Sequence, residues 1–302
     1  MHDLVVKVKH LLSNTFYYWQ YQRREKLYKQ IKVLTIRESI ELIVANKMSV
    51  ARFGDGELRW AIGEQPGYFK QEVDDKLSLA LQDVLINPAP NTAVGLQRSA
   101  FGHLEEVTSD NRKAWRYLMW KYGMRWLDII PKDHIYVDTN LSRLYIDREN
   151  KDEAKDNYQL LKSIWANRNV LMVEGMHTKF GVGNNLLENV ASIRRIEGPS
   201  ENAFSKYSEL LSAVKMYARK DDLILIALGP TATILANDLA KDGIQAIDIG
   251  HADIEYEWFL KQVSTRVGVD GKHVEESKDK VNDTESNELD DELFKSEVIA
   301  EI

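Results

Sequence analysis

The chain has no cysteine among its 302 residues, which excludes disulfides, thiolate metal sites and cysteine nucleophiles. Any metal must then be held by Asp, Glu, His or phosphate oxygens, so a hard, oxygen-preferring cation such as Mg²⁺ or Mn²⁺ is the natural candidate. Also missing are a run of about 18 uncharged apolar residues and an apolar signal core with a cleavage site, so the chain reads as cytoplasmic. Neither a G-x-G-x-x-G fingerprint nor a P-loop occurs, which argues against a dinucleotide oxidoreductase. There is no excess of basic charge, the net charge being -7, and nothing suggests a nucleic-acid partner.

The charge that is present is unevenly placed. Residues 270–302 carry twelve acids and four bases, whereas residues 1–35 carry seven Lys or Arg against two acids. The first 35 residues read as a helical extension in which Leu4, Leu11, Leu12, Phe16, Tyr17 and Trp19 alternate with bases. Such a helix packs on its own domain or a neighbouring subunit, or lies at the inner face of an anionic membrane. Residues 265–302 lose apolar periodicity and read as a disordered acidic tail.

Between them, residues 36–264 alternate helices with short apolar runs. A helix is expected over Ile36–Ala45, then a strand over Ser49–Phe53. Further strands are expected at "NTAVGL", "HIYVDT", "NVLMVEG", "SIRRIEG", "LILIALG" and "AIDIG". Continuous apolar runs ending in glycine or an acid are the mark of strands buried on both faces of a largely parallel sheet. The expected fold is therefore α/β and Rossmann-like, the sheet flanked by helices and ligands bound at the strands' carboxyl ends.

Five stretches at such ends carry candidate chemistry. In "ARFGDGELRW", Asp55 and Glu57 are read as lying two apart on an extended strand end, projecting to one side, with Arg52 and Gly54 beside them. Two converging carboxylates either repel or share a cation. The plainer reading is a polar turn in which one acid caps the next helix. An acid-x-acid pair arises roughly seven times by chance in a chain with 47 acids, so context decides its value. "VEGMHTKFGVGNN" offers Glu174, Thr178, Lys179, Gly181 and Gly183 as a loop whose N–H groups can cradle a diphosphate. "ALGPTATILANDLAKDG" opens a helix at Gly229, Pro230 and Thr231, which serves equally as an ordinary helix start and as an anion or nucleotide site. "AIDIGHADIEYEWF" crowds Asp248, His251, Asp253, Glu255 and Glu257 behind a strand, Asp253 and Glu257 sharing a helix face. One of these acids can act as a general base and His251 as a phosphate or metal contact; the plain alternative is a solvated acidic face. "VDTNLSRLYID" places Asp138, Ser142 and Arg143 after a strand, suiting sugar or phosphate contacts or a structural salt bridge.

With "RFGDGE", "VEGMHTKFGVGNN", "ALGPTATILANDLAKDG" and "IDIGHADIEYEWF" in this order, the sequence resembles the GT-D-type glycosyltransferases, a bacterial family first met as a domain of unknown function in adhesin glycosylation systems. The resemblance covers roughly residues 35–262. It implies a nucleotide-sugar enzyme whose D-x-E motif, here Asp55-Gly56-Glu57, helps hold Mn²⁺ or Mg²⁺ on the donor diphosphate. It further implies transfer of a hexose, with UDP-glucose the favoured donor, to an acceptor glycan on protein or lipid. Gly229–Thr231 and the Gly181/Gly183 loop would serve the nucleotide. A carboxylate among Asp253, Glu255 and Glu257, with Glu257 preferred, would take the acceptor proton. The chain departs from the family pattern in carrying Lys179 in place of an arginine and Asn185 in place of an aspartate; lysine keeps the charge but not bidentate phosphate geometry. Assembly into a homo-oligomer is left open, and the alternative function from another class is a non-catalytic nucleotide-binding scaffold subunit of a glycosyltransferase complex, using residues 1–35 and the tail as contact surfaces.

Overall fold

The computed structural model describes residues 2–272, 274 and 288–302, with 2–12 described only as backbone. The first half of the chain forms α1 (His2–Tyr28), β1 (Lys32–Val33), α2 (Ile36–Asn46), β2 (Ser49–Phe53), α3 (Asp55–Ala61), α4 (Asp75–Ile86), β3 (Thr92–Leu96), α5 (Ser109–Ile129) and β4 (Ile135–Asp138). There follow α6 (Ala154–Lys162), β5 (Asn169–Gly175), β6 (Ser192–Gly198), α7 (Tyr207–Tyr217), β7 (Leu223–Ala227), α8 (Pro230–Lys241), β8 (Ala246–Asp248), α9 (Ala252–Leu260), α10 (Glu288–Glu297) and β9 (Val298–Glu301).

Local chemistry explains the boundaries. Thr35 and Glu38 form a capping box that starts α2, and Lys47 ends it in the left-handed region. The apolar runs of β3 and β7 have no solvated face because helices cover both sides of the sheet. The nine strands run in the order β1-β4-β3-β2-β8-β7-β5-β6-β9 with every pairing parallel. From β2 the chain winds outward through β3 to β4, then crosses to β5 on the far side and returns through β7 to β8. The winding therefore reverses between the neighbours β2 and β8, and their carboxyl ends diverge into a crevice.

Two segments differ from the sequence reading. The second half of α1 belongs to the domain: Tyr21 and Tyr28 are buried, and their hydroxyls donate to the carbonyls of Ala100 (3.0 Å) and Met119 (3.1 Å). Residues Lys32–Val33 then add an edge strand beside β4, inside what was read as an extension. At the other end, residues 288–301 are not disordered. They form an acidic helix and a strand parallel to β6, with Phe294 buried under the Arg195 guanidinium, 5.0 Å from the ring centre. Acidic composition hid them, because Phe294 and the short run Val298–Ala300 are few apolar residues among many charges. The start of the expected tail is ordered too, with Val269 and Val274 buried in the core, Arg266 bonded to Asp147 at 2.8 Å and Lys272 to Asp253 at 2.7 Å; residues 273 and 275–287 lie outside the described residues.

Candidate functional site

A cavity of about 380 Å³ opens at the carboxyl ends of the central strands. Asp55 and Glu57 both line it, but not as a strand end. Gly54 is the N-cap of α3, so the two acids occupy its first turn. Residues two apart on a helix point roughly 200° apart, which corrects the strand-end reading, although both acids still reach the wall of the same cavity. Glu57 Oε2 accepts the Gly54 N–H at 2.9 Å, a capping role combined with a place on the cavity wall. Asp55 Oδ2 accepts the Tyr68 hydroxyl at 3.1 Å and faces Arg59 at 3.8 Å. Glu57 keeps some accessible surface toward the cavity. Even so, enclosure by protein, and secondly the charge of Asp248, push its carboxyl up to about 7.

The floor between β2 and β8 is an ion pair. Arg52 Nη2 meets Asp248 Oδ1 at 2.9 Å, its Nε donates to the Asp248 carbonyl at 2.8 Å, and its Nη1 donates to Ser142 Oγ at 2.6 Å. Arg52 therefore ties three strand ends together, and most of its donors are spent there. Burial raises the Asp248 carboxyl while Arg52 opposes that shift. The backbone passes so close that a Cβ on Gly250 would lie 1.9 Å from Arg52 Nη2, at a φ of +50°. Only glycine fits that position.

Across the crevice, Gly229 takes φ +53° and turns β7 into α8 with Pro230 in the first turn. Gly229, Pro230 and Thr178 line the cavity, and so do Tyr68 and Phe69, the Phe69 ring lying against Gly229 so that a Cβ there would come within 3.0 Å of it. Thr231 is fully buried, and its hydroxyl has no hydrogen-bond partner among the described residues. His251 stacks on Phe69 at 5.9 Å, and its Nδ1 lies 3.4 Å from Arg143. Both His251 and Arg143 line the cavity.

Other sequence candidates have different surroundings. Asp253 lines the cavity and is held by Lys272 and Asn184, each at 2.7 Å. Glu257 shares both partners, at 3.4 and 2.7 Å, which puts the two acids on one face as the helix reading expects, but Glu257 is not part of the cavity wall. Glu255 is spent on the backbone N–H groups of Tyr145 and Ile146. Glu174 is buried against Arg195 at 2.6 Å and the Phe180 N–H at 2.7 Å, bracing the loop rather than facing a ligand. Lys179, Gly181 and Gly183 also stand apart from the cavity wall. Lys179 pairs with Asp291 of α10 at 2.7 Å, so the diphosphate cradle expected there is instead the seat of the C-terminal helix. The charge complement that claims Lys179 lies 112 residues further on, in the stretch read as tail.

The sequence reading did not single out Tyr68, Phe69, Asn111, Trp115, Thr139, Asn140 or Arg266, all on the cavity wall. Thr139 and Asn140 sit inside a quoted stretch, but uncharged residues carry no pattern. Trp115 is indistinguishable from core residues at helical spacing.

For a divalent cation, the donor set at Asp55 and Glu57 is of the right kind: two hard carboxylate oxygens on the cavity wall, one of them beside another acid. Among the described residues, the group of three side chains whose ligand atoms lie within 4.8 Å of one another is elsewhere, at His103, Glu105 and Glu106. Glu106 there is already paired with Arg98 and Arg148. A metal at the cavity would thus take its remaining ligands from a diphosphate and water.

Comparison with known proteins gives a consistent picture. The family model described as Glycosyltransferase GT-D fold matches residues 50–277. The chain is 36% identical over 282 residues to Glycosyltransferase GlyD of Streptococcus pneumoniae serotype 4, a match covering 92% of this chain and 33% of that protein. It is 35% identical over 274 residues to the Probable glycosyl transferase Gly of Streptococcus gordonii, covering 91% and 39% respectively. The chain thus spans well under half the length of these curated relatives. Among solved structures it is similar to the domain of unknown function 1792 described as having a distinct glycosyltransferase fold, with a TM-score of 0.85, 35% identity, and coverage of 93% of this chain and 99% of that one. A new glycosyltransferase from Streptococcus sanguinis matches with a TM-score of 0.82 and 33% identity, covering 90% and 99%.

Proposed function

The chain belongs to the glycosyltransferase family of the GT-D fold, and on that premise we propose that it moves a hexose from a nucleoside diphosphate sugar, UDP-glucose being the favoured donor, to a hydroxyl of an acceptor glycan in glycoprotein or cell-surface polysaccharide synthesis. The observation that carries this reading is the position of Asp55 and Glu57 on the wall of a cavity at the strand ends that the Gly229–Pro230 turn also lines. In this reading the two acids hold Mn²⁺ or Mg²⁺, and the bound metal neutralises the charge that develops on the departing nucleoside diphosphate. Arg52 and Asp248 act through the floor they build, holding β2 and β8 in register beneath the donor. Gly229, Pro230 and Thr178 receive the nucleotide end, with Phe69 and His251 as a stacked wall above it. A carboxylate of α9 serves as the general base in this reading, and of Asp253 and Glu257 it is Asp253 that lines the cavity.

No helix among the described residues is long and apolar enough to cross a membrane. The proposed contact with a membrane surface or partner protein therefore falls to α1, where Phe16, Tyr18 and Trp19 remain exposed beside basic residues.

The test is hydrolysis of a panel of UDP-, GDP- and dTDP-sugars with Mn²⁺, comparing the wild type with Asp55→Ala and Glu57→Ala. Metal-dependent release of one nucleoside diphosphate, lost in both variants, is the expected result. Absence of hydrolysis together with absence of any nucleotide-induced rise in melting temperature would leave the scaffold alternative in its place.

A further inference from the structure

We propose that the outer face of α1, together with the adjoining surface of α5, docks on an anionic lipid bilayer and lies on it without crossing it. The inference does not depend on the donor chemistry above, and it commits the contact assigned there to α1 to one occupant.

Helical spacing builds the face. Phe16, Trp19, Arg23 and Lys26 follow one another at intervals of three, four and three residues, so they share one side of α1. Another side packs on the domain, where Tyr21 and Tyr28 are buried. Trp19 and Phe16 keep 61% and 45% of their surface exposed, and Arg23 and Lys26 are exposed as well. In the sequence, Val5, Val8 and Leu12 continue the same spacing toward the N-terminus. The α5 helix widens the face: Tyr17 has Trp120 and Tyr117 beside it, with ring centres 5.1 and 5.3 Å away, and Phe16 meets Trp120 edge-on at 5.7 Å. Tyr117 and, one turn beyond Trp120, Met124 are also exposed. A contiguous group of uncovered rings of this kind marks an interaction surface.

Two observations choose the occupant. The first is charge. Neither Arg23 nor Lys26 is paired with an acid among the described residues, and Glu25, the one acid between residues 13 and 28, is paired with Lys29 at 2.8 Å. The α5 helix adds Arg116, which lies over the Tyr18 ring at 5.0 Å, and the exposed Lys121. Because the whole chain carries a net charge of -7, an anionic surface attracts this face and repels the remainder, which orients the molecule. The same charge weighs against a second copy, since a two-fold contact sets a patch against itself and here bases would meet bases. The second observation is side-chain chemistry. Half-exposed Trp and Tyr rings, apolar in body and polar at one edge, suit the headgroup boundary of a bilayer, and long basic side chains beside them reach lipid phosphates. Asn111 and Leu118 of α5 line the cavity, so one helix joins the docked face to the site, and a lipid-carried acceptor glycan would meet the site beside the bilayer.

The test is co-sedimentation of the full chain with vesicles of phosphatidylcholine, alone or mixed with phosphatidylglycerol, at low and raised salt. The variants are Trp19→Ser and the pair Arg23→Gln with Lys26→Gln, all at exposed positions and each checked for an unchanged melting temperature. The wild type should bind the mixed vesicles, bind the neutral ones weakly or not at all, and be released as salt rises. Loss of the two bases should weaken binding to mixed vesicles by about 30-fold, and Trp19→Ser should weaken it by about tenfold or more. No binding to mixed vesicles, equal binding to both compositions, or binding unchanged in either variant would each overturn the proposal. So would a wild-type dimer in sedimentation velocity that Trp19→Ser dissociates, because the face would then belong to a second copy. Vesicle binding needs neither donor nor turnover, so failure here leaves the donor reading standing, and failure of the donor panel leaves this proposal standing.

Discussion

Two acidic regions, the first turn of α3 and the body of α9, differ in what surrounds their carboxylates. Asp253, Glu255 and Glu257 of α9 are each buried, and each has been given donors: Lys272 and Asn184 for the first and third, and the backbone N–H groups of Tyr145 and Ile146 for the second. The Glu57 carboxyl of α3 is raised first by burial and then by the charge of Asp248, with a smaller push from Asp55, while a backbone N–H and Arg52 oppose the shift. In the sequence, α9 is the richer cluster. In the fold, much of it is architecture, while the sparser pair on α3 lines the cavity, Asp55 facing Arg59 at 3.8 Å and Glu57 lying beside Asp248. Acid density is therefore a poorer guide to a candidate metal site than position on the cavity wall.

The contrast can be broken in order of effect. Asp55→Ala and Glu57→Ala should each lower metal-dependent donor hydrolysis by about 10²- to 10³-fold, measured as nucleoside diphosphate release, while melting temperature stays near the wild-type value. Lys272→Met should do the reverse. It strips a buried cation from Asp253 and Glu257 and should destabilise the fold by about 3 kcal/mol in urea titration. Glu57→Gln in the same assay should be neutral or stabilising. Equal behaviour of the two variants would erase the distinction between the regions.

A third prediction concerns Asp138, which is fully buried at the end of β4. Burial is the main reason its carboxyl is pushed up to about 7, and the N–H groups of Asn140 and Arg98 oppose the shift. A carboxyl raised above its unfolded value binds its proton more tightly in the folded state, so it lowers stability as pH climbs from about 4 through 7. Asp138→Asn should therefore be more stable than the wild type above pH 7, by on the order of 1–2 kcal/mol. The advantage should vanish as pH falls toward 4, followed by thermal unfolding across that range. The smallest effect is expected at Asp291→Asn. Its pair with Lys179 is partly solvated, so stability should move by no more than about 1 kcal/mol.

The interior strands were legible because most are short apolar runs, as in β5 and β7, although arginines interrupt β2 and β6, and all seven expected strands are present, from Ser49–Phe53 to Ala246–Asp248. The edge strands escaped notice for opposite reasons. Lys32–Val33 is too short to show a period, and Val298–Glu301 follows an acidic helix whose charge dominates the composition. At the site, charged and glycine residues at strand ends were readable one by one. Their partners were not: the commitments of Lys179 to Asp291 and of Arg52 to Asp248 span 112 and 196 residues, and no local pattern encodes a pairing at that distance. The turn geometry of Asp55 and Glu57 was misread because a glycine-flanked acid pair serves a strand end and a helix N-terminus equally well.

The central claim is that Asp55 and Glu57 together hold a divalent cation against a nucleoside diphosphate. Its most direct test is Mn²⁺ binding followed by electron paramagnetic resonance, with and without UDP, on the wild type and the two alanine variants. The account predicts Mn²⁺ binding that is tightened by UDP in the wild type and lost in both variants. UDP-tightened Mn²⁺ binding that survives in either variant would contradict it.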